Sequence, residues 1–130
     1  MNKPRTPCVV IAEDDDEMRA LLRDLVSQLA VDVDLAASGG ELIARLADDR
    51  PVDLLVTDLR MPWLTGFQAA LSARRAGLSM PIIMVTAFPD TELRAKVGSL
   101  GAAVVLAKPF RPEELLSLVR CQLSSATAEA

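Results

Sequence analysis

Five short runs of apolar residues recur along the sequence, and a longer amphipathic stretch follows each of them. Residues 8–12, 53–58, 81–86 and 103–107 are mostly apolar on both faces, which is typical of parallel strands buried inside a sheet. Residues 31–36 alternate apolar and acidic side chains and predict a strand nearer the sheet edge. Because consecutive parallel strands are usually joined by a helical crossover, the alternation predicts one α/β fold: a doubly wound parallel sheet with helices on both faces.

Periodicity and capping residues predict five helices. At three- and four-residue spacing, the apolar face of the first helix comprises Met18, Leu21, Leu22, Leu25, Val26 and Leu29. A second helix is expected to begin at Ser38 and to end near residues 48–50. The third and fourth, over residues 67–76 and 90–100, each stop at a glycine, and the last begins at Pro112.

The length of 130 residues predicts a single domain, with its core at about residues 8–123 and a tail at 124–130 that frays or begins a linker. A net charge of −4 argues against direct binding to nucleic acid. The absence of histidine excludes imidazole catalysis and thiolate–imidazole zinc sites. Cys8 and Cys121 are expected to be reduced packing residues. With no apolar run near ~18 residues and no signal-peptide core, we expect a cytoplasmic protein that binds no membrane.

Charged and hydroxyl residues follow four of the predicted strands. Glu13 and Asp14 come directly after the first strand, Asp58 ends the third, Thr86 ends the fourth and Lys108 comes directly after the fifth. In open parallel sheets, sites form beyond the carboxyl ends of the strands. These side chains are therefore expected to meet at one edge.

The chemistry of that edge follows from charge. Clustered carboxylates repel one another, and a hard divalent ion such as Mg²⁺ relieves the repulsion while leaving room for phosphate oxygens. A metal beside Asp58 would let this carboxylate attack an incoming phosphoryl group and form an aspartyl phosphate. Lys108 would pair with the phosphate, and the Thr86 hydroxyl would donate a hydrogen bond to it.

Each residue also has a simpler interpretation. Asp58 could cap a turn at a strand end, and Glu13 and Asp14 could merely stabilise the dipole of the following helix. For Asp15 and Asp16 that capping role is the favoured one. Thr86 could be an ordinary strand residue, and Lys108 a solvated charge.

Four segments in register resemble the signature segments of response-regulator receiver domains. They are Ile11-Ala12-Glu13-Asp14-Asp15, Val56-Thr57-Asp58-Leu59-Arg60-Met61-Pro62 with Gly66, Val85-Thr86-Ala87, and Lys108-Pro109-Phe110. The likeness covers about residues 8–123, in the family's order and at its approximate spacing.

The resemblance implies a flavodoxin-like (βα)₅ fold with strand order 2-1-3-4-5. It implies that Asp58 is the phosphoacceptor, and that Glu13, Asp14, Asp58 and the backbone carbonyl of Arg60 hold Mg²⁺. Thr86 and Lys108 would take the signalling and phosphate-pairing roles, and the Lys108–Pro109 peptide bond would be cis. The implied partners are a histidine kinase or a histidine phosphotransfer protein, and the face of helix 4, strand 5 and helix 5 would serve output or homodimerisation.

Two residues depart from the family's pattern. Val105 stands where the family usually has an aromatic residue, so its aromatic switch cannot operate in the usual form. Trp63 replaces the small residue common after Met-Pro and is interpreted as a packing residue of the loop or, alternatively, a partner contact. A further hypothesis concerns lifetime: Arg60 and Phe88 are expected to rim the site and to shield an aspartyl phosphate from water.

The preferred function is a phosphorylation-driven switch that is not an enzyme with an external substrate. A degenerate receiver that binds partners independently of phosphate is the alternative. Phosphatases of the haloacid-dehalogenase type need an aspartate two residues after the nucleophile, where this chain has Arg60. A nucleotide-binding flavodoxin-like protein is disfavoured because no glycine-rich loop follows the first strand.

Overall fold

The computed structural model describes residues 5–61 and 64–128. Strands and helices alternate throughout these ranges, as predicted. In chain order they are β1 (Cys8–Ala12), α1 (Asp16–Val26), β2 (Asp32–Ala36), α2 (Gly39–Leu46), β3 (Leu54–Asp58), α3 (Gly66–Arg75), β4 (Ile82–Thr86), α4 (Thr91–Gly98), β5 (Ala103–Ala107) and α5 (Pro112–Ala128). The strands form one parallel sheet in the order β2-β1-β3-β4-β5, which confirms the flavodoxin-like (βα)₅ prediction.

Side chains alternate between the two faces of the sheet and fill a separate core on each, because successive residues of a strand point to opposite faces. Val10, Leu55 and Met84 belong to the core that α2, α3 and α4 cover. Val9 and Val56 belong to the other core, which lies under α1 and α5. The central strands β1, β3 and β4 are almost wholly buried, whereas the edge strands β2 and β5 are half exposed.

The predicted apolar face of α1 was wrong at one position. Leu22, Leu25 and Val26 are buried, but the side chain of Leu21 is 46% exposed. At 3.6 residues per turn, Leu21 lies about 100° around the helix from Leu22 and falls outside the buried stripe. A leucine at the edge of an apolar stripe cannot be assigned by spacing alone.

Two other expectations needed adjustment. Both cysteines are free thiols, but Cys121 is exposed and is not a packing residue. It lies two positions after the buried Val119, and this spacing turns it away from the core. Helix α2 ends at Leu46, before the predicted residues 48–50, where the Asp48 carboxylate instead accepts a hydrogen bond from the backbone N–H of Arg50.

Two further expectations concern the C-terminal tail and membrane association. Helix α5 continues through Ala128, so residues up to 128 of the predicted tail are helical; residues 129 and 130 lie outside the described ranges. Among the described residues, no helix has both the length and the apolar character that crossing a membrane requires.

Arg74 ties α3 to the loops around β4. Its guanidinium donates to the carbonyls of Leu100 (2.7 Å), Leu78 (3.0 Å) and Gly101 (2.8 Å). Within the described residues it makes no ion pair with a carboxylate, and burial lowers the pKa of the guanidinium. Arg74 is therefore a half-buried donor to backbone carbonyls of the loops that follow α3 and α4.

Replacing Arg74 by methionine should lower the free energy of unfolding by about 2 kcal/mol, because three loop carbonyls would lose their donor while the apolar stem is kept. Urea denaturation followed by circular dichroism measures the change. The neighbouring Arg75 is exposed, and Arg75→Met should shift stability by less than about 0.5 kcal/mol. Equal effects of the two substitutions would contradict the structural role of Arg74.

Candidate functional site

The strand ends bring the predicted site residues to one edge of the sheet. Residue pairs at the carboxyl ends of the strands lie side by side: Ala12 with Thr57, Asp58 with Val85, and Thr86 with Ala107. Asp58 is the last residue of β3, and Glu13 and Lys108 directly follow β1 and β5. The side chains of the three residues therefore converge, as the sequence predicts.

The Lys108 ammonium lies between two carboxylates. Its Nζ is 3.1 Å from Asp58 Oδ2 and 3.4 Å from Glu13 Oε1, and the side chain is 23% exposed. Burial lowers the pKa of Lys108, but hydrogen bonds and charges from Asp58 and Glu13 outweigh it and raise the pKa overall. Lys108 is therefore a fixed cation of the site, not a solvated charge. The Lys108–Pro109 peptide bond is cis, as expected.

Glu13 is the most enclosed acidic group of the site. Its side chain is 1% exposed. Burial raises its pKa to about 8, helped by the hydrogen bond and the negative charge of Asp58 and opposed by Lys108. A carboxyl in such surroundings holds a proton near neutral pH unless a further cation arrives.

Three carboxylates form a set that suits a hard cation. Glu13, Asp14 and Asp58 each offer an oxygen, and these atoms lie within 4.8 Å of one another. Glu13 is buried, Asp58 is half-buried and Asp14 is exposed, so the cluster opens to solvent on one side. Mg²⁺ favours a few carboxylates and keeps several waters, which this half-open arrangement allows.

The next two acidic residues, Asp15 and Asp16, lie at the start of α1 and do not belong to the carboxylate cluster. Asp15 is the N-cap, and its side chain accepts a hydrogen bond of 2.7 Å from the backbone N–H of Met18. Asp16 pairs with Arg19 on the helix surface. The predicted capping role of Asp15 is confirmed, and Asp16 belongs to the first turn.

Phe88 and Arg60 line the open side beside Asp58, and Thr86 lies further in. The Thr86 side chain is buried, and its hydroxyl oxygen accepts a hydrogen bond of 3.2 Å from the Phe88 backbone N–H. Its own hydroxyl proton remains available for a bound group. The Arg60 backbone N–H donates to Asp58 Oδ1 at 3.1 Å, and the Arg60 guanidinium lies 5.1 Å from the centroid of the Phe88 ring.

Gly66 allows the loop after β3 to fold back on Asp58. A Cβ atom at this position would lie 2.1 Å from the Asp58 carbonyl oxygen and 2.8 Å from Thr57 Oγ1. The Gly66 N–H donates to the Leu59 carbonyl at 3.0 Å and closes the turn. Trp63, for which a packing or contact role was predicted, lies outside the described residues.

Two of the cavities in the structure differ in size and in their distance from the site. One of about 250 Å³ lies beside the site, and Arg60, Thr86, Phe88 and Lys96 are among its lining residues. A larger one of about 490 Å³ lies at the opposite edge of the sheet and contains none of the site residues. The reactive groups, not cavity size, therefore identify the candidate site.

Arg19 was missed by the sequence analysis. Its guanidinium donates to the backbone carbonyl of Glu13 at 2.9 Å. The only signal in the sequence is an arginine one helical turn beyond the acidic cluster, and such a residue is usually a surface charge.

The model of the response regulator receiver domain family matches residues 9–120. The chain belongs to the response-regulator receiver family. Response regulator MprA of Mycolicibacterium vanbaalenii is 35% identical over 121 residues, which is 93% of this chain and 52% of that protein. The MprA of Mycobacterium avium is 36% identical, over 93% of this chain and 53% of its own length. This receiver chain thus spans about half the length of these curated relatives.

Solved structures agree with this assignment. The chemotaxis protein CheY4 of Vibrio cholerae superimposes with a TM-score of 0.84 at 27% identity, covering 92% of this chain and 100% of CheY4. One departure of this receiver chain from the family pattern can now be located. Val105 is half-buried in the core under α4 and lies beside Met84 in the sheet.

Replacing Gly66 by alanine should lower the free energy of unfolding by about 2 kcal/mol, because the added methyl group overlaps the Asp58 backbone. Chemical denaturation measures the loss. Gly40→Ala is the matched control, because the nearest atom to its new Cβ would be Ser38 Oγ at 3.8 Å. Gly40 lies in α2, so this substitution should stabilise the protein by about 0.5 kcal/mol. A Gly66→Ala variant as stable as the wild type would contradict the close approach.

Proposed function

We propose that this domain is the phosphoacceptor receiver of a two-component system and that Asp58 takes a phosphoryl group from a histidine kinase or a histidine phosphotransfer protein. The observation that carries the proposal is the convergence of Lys108 with the carboxylates of Glu13, Asp14 and Asp58. The pocket holds a nucleophile, a phosphate-pairing cation and ligands for a divalent metal.

All three carboxylates would bind the metal ion, and Asp58 would also be the nucleophile. Glu13, Asp14 and Asp58, with the backbone carbonyl of Arg60, would hold Mg²⁺. When bound, the ion neutralises charge between the carboxylates and the entering phosphoryl oxygens. An oxygen of Asp58 then forms a bond to phosphorus while the bond from phosphorus to the donor's imidazole nitrogen breaks and its electron pair stays on that nitrogen.

Lys108 and Thr86 act on the product of this transfer. Lys108 starts 3.1 Å from Asp58 Oδ2, so it needs little movement to pair with a phosphoryl oxygen carried by that carboxylate. The buried Thr86 hydroxyl would donate to a second phosphoryl oxygen and so give up its present surroundings. This change beside β4 would alter α4, β5 and α5, the proposed face for output or homodimerisation.

The proposed activity is that of a switch and not of an enzyme with an external substrate. The domain catalyses phosphoryl transfer only onto itself, and slow hydrolysis of the aspartyl phosphate, in which water attacks phosphorus and the Asp58 carboxylate leaves, resets it. A phosphatase of the haloacid-dehalogenase type is disfavoured by Arg60, since that class needs an aspartate there. A phosphate-independent binding module would not need the half-buried contacts of Lys108 with Asp58 and Glu13.

Asp58→Asn should abolish phosphorylation, because an amide oxygen is too weak a nucleophile to attack phosphorus. The assay is mass spectrometry of the intact protein after incubation with Mg²⁺ and acetyl phosphate, which should add one phosphoryl group to the wild type. Asp49→Asn, an exposed change beyond the opposite end of β3, should leave the gain intact. Phosphorylation of the Asp58→Asn variant at the wild-type rate would refute the proposal.

The lifetime of the aspartyl phosphate should depend on Phe88, which is 65% exposed and stacked against Arg60 beside the site. Phe88→Glu removes this apolar cover and adds a carboxylate able to order water. We expect the phosphoryl group to be lost roughly tenfold faster, which corresponds to about 1.4 kcal/mol in the barrier. The decay is followed by mass spectrometry after removal of the donor.

Leu21→Glu serves as the control for Phe88→Glu, because Leu21 is also exposed but lies on α1. Its decay should match that of the wild type. Unchanged decay in Phe88→Glu would show that Phe88 and Arg60 do not shield the site.

A further inference from the structure

The loop between β1 and α1 carries two of the three carboxylates, and its backbone is held from several sides. The Glu13 N–H donates to the Ala36 carbonyl of β2 at 3.0 Å. The Asp14 N–H donates to Glu13 Oε2 at 3.1 Å. These contacts fix the N–H groups of Glu13 and Asp14, and the carbonyl of Glu13 is held by a different residue.

Arg19 supplies that contact from α1. Its Nη1 donates to the Glu13 carbonyl at 2.9 Å and lies 3.5 Å from the Asp14 carbonyl. Its Nη2 donates to Asp16 Oδ1 at 2.5 Å. The Arg19 side chain is only 19% exposed, whereas that of Asp16 is 88% exposed. An exposed ion pair contributes little, so the enclosed contact with the loop backbone is the significant one.

We propose that Arg19 is a positioning residue that holds the β1–α1 loop in the conformation in which Glu13 and Asp14 face a metal ion. The inference rests on the proposed function, in which these carboxylates bind Mg²⁺. Groups that orient metal ligands raise metal affinity because the loop is already ordered when the ion arrives. Arg19 would do so through backbone carbonyls, without touching the ion or the phosphoryl group.

The charge of Arg19 alone would lower the affinity of the site for Mg²⁺. A guanidinium close to a Mg²⁺ site repels the ion, so a protein with a neutral residue at position 19 would bind Mg²⁺ more tightly if charge dominated. If positioning dominates, the same substitution weakens binding. The direction of the change in Mg²⁺ affinity therefore separates the two effects.

The test is Arg19→Met, which keeps an unbranched apolar stem and removes every donor. We expect its Kd for Mg²⁺, measured by isothermal titration calorimetry, to rise about tenfold. Arg19→Lys keeps the charge but not the planar fork and should fall between Arg19→Met and the wild type. At saturating Mg²⁺, the maximal rate of phosphorylation by acetyl phosphate should equal that of the wild type, because Arg19 acts on metal affinity alone.

Asp16→Asn is the matched control, since it removes the exposed ion pair and leaves the carbonyl contacts of Arg19 in place; Mg²⁺ affinity should not change. Mg²⁺ binding by Arg19→Met that is as tight as in the wild type, or tighter, would overturn the inference while leaving the proposed function standing. A wild-type protein that binds no Mg²⁺ would overturn both. If urea denaturation shows that Arg19→Met is unfolded, Arg19→Lys decides, and wild-type affinity in that variant overturns the inference.

Discussion

The contact of the Lys108 ammonium with Glu13 and Asp58 is the interaction around which the site is organised. In the sequence, Lys108 is 95 positions from Glu13 and 50 positions from Asp58. Without a cation, carboxylate oxygens held within 4.8 Å of one another would repel, and the buried Glu13 would be especially costly to ionise. Lys108 offsets part of that repulsion but leaves the pKa of Glu13 raised to about 8. The positive charge of Lys108 therefore does not balance the carboxylates of the pocket, and this excess of negative charge favours the binding of a second cation.

The sheet makes this arrangement possible because its hydrogen bonds continue past the strand ends into the site. The Glu13 N–H donates to Ala36, and the Lys108 N–H donates to Thr86. The N–H of Leu59, directly after Asp58, donates to Val85. Each reactive residue is thus fixed by backbone bonds to the neighbouring strand before its side chain makes any contact. Groups built on such a rigid framework hold their geometry more closely than groups on a free loop.

Much of the fold and of the site could be predicted from the sequence because both depend on local patterns. Apolar runs place the five strands to within one or two residues, and topology carries their polar ends to the same edge. Leu21 could not be placed, because apolar spacing does not fix the rotation of a helix to better than one residue. Arg19 and Arg74 could not be recognised, because each donates to backbone carbonyls. Every residue has a backbone carbonyl, so the sequence does not show which of them a side chain contacts. Pattern reasoning finds side chains that share chemistry, but not those that bind the main chain.

The difference in exposure among the site residues limits how a phosphoryl donor could reach Asp58. Glu13 and Thr86 are buried and close the inner side of the pocket. Asp14 and Phe88 are exposed, so the open side lies between the loop after β1 and the loop after β4. A donor imidazole would have to enter there and would meet the Phe88 ring, which in the proposed mechanism also shields the aspartyl phosphate from water. The same aromatic side chain would then influence both how the phosphoryl group arrives and how long it stays, so variants at position 88 are best compared with small donors before a protein donor is used.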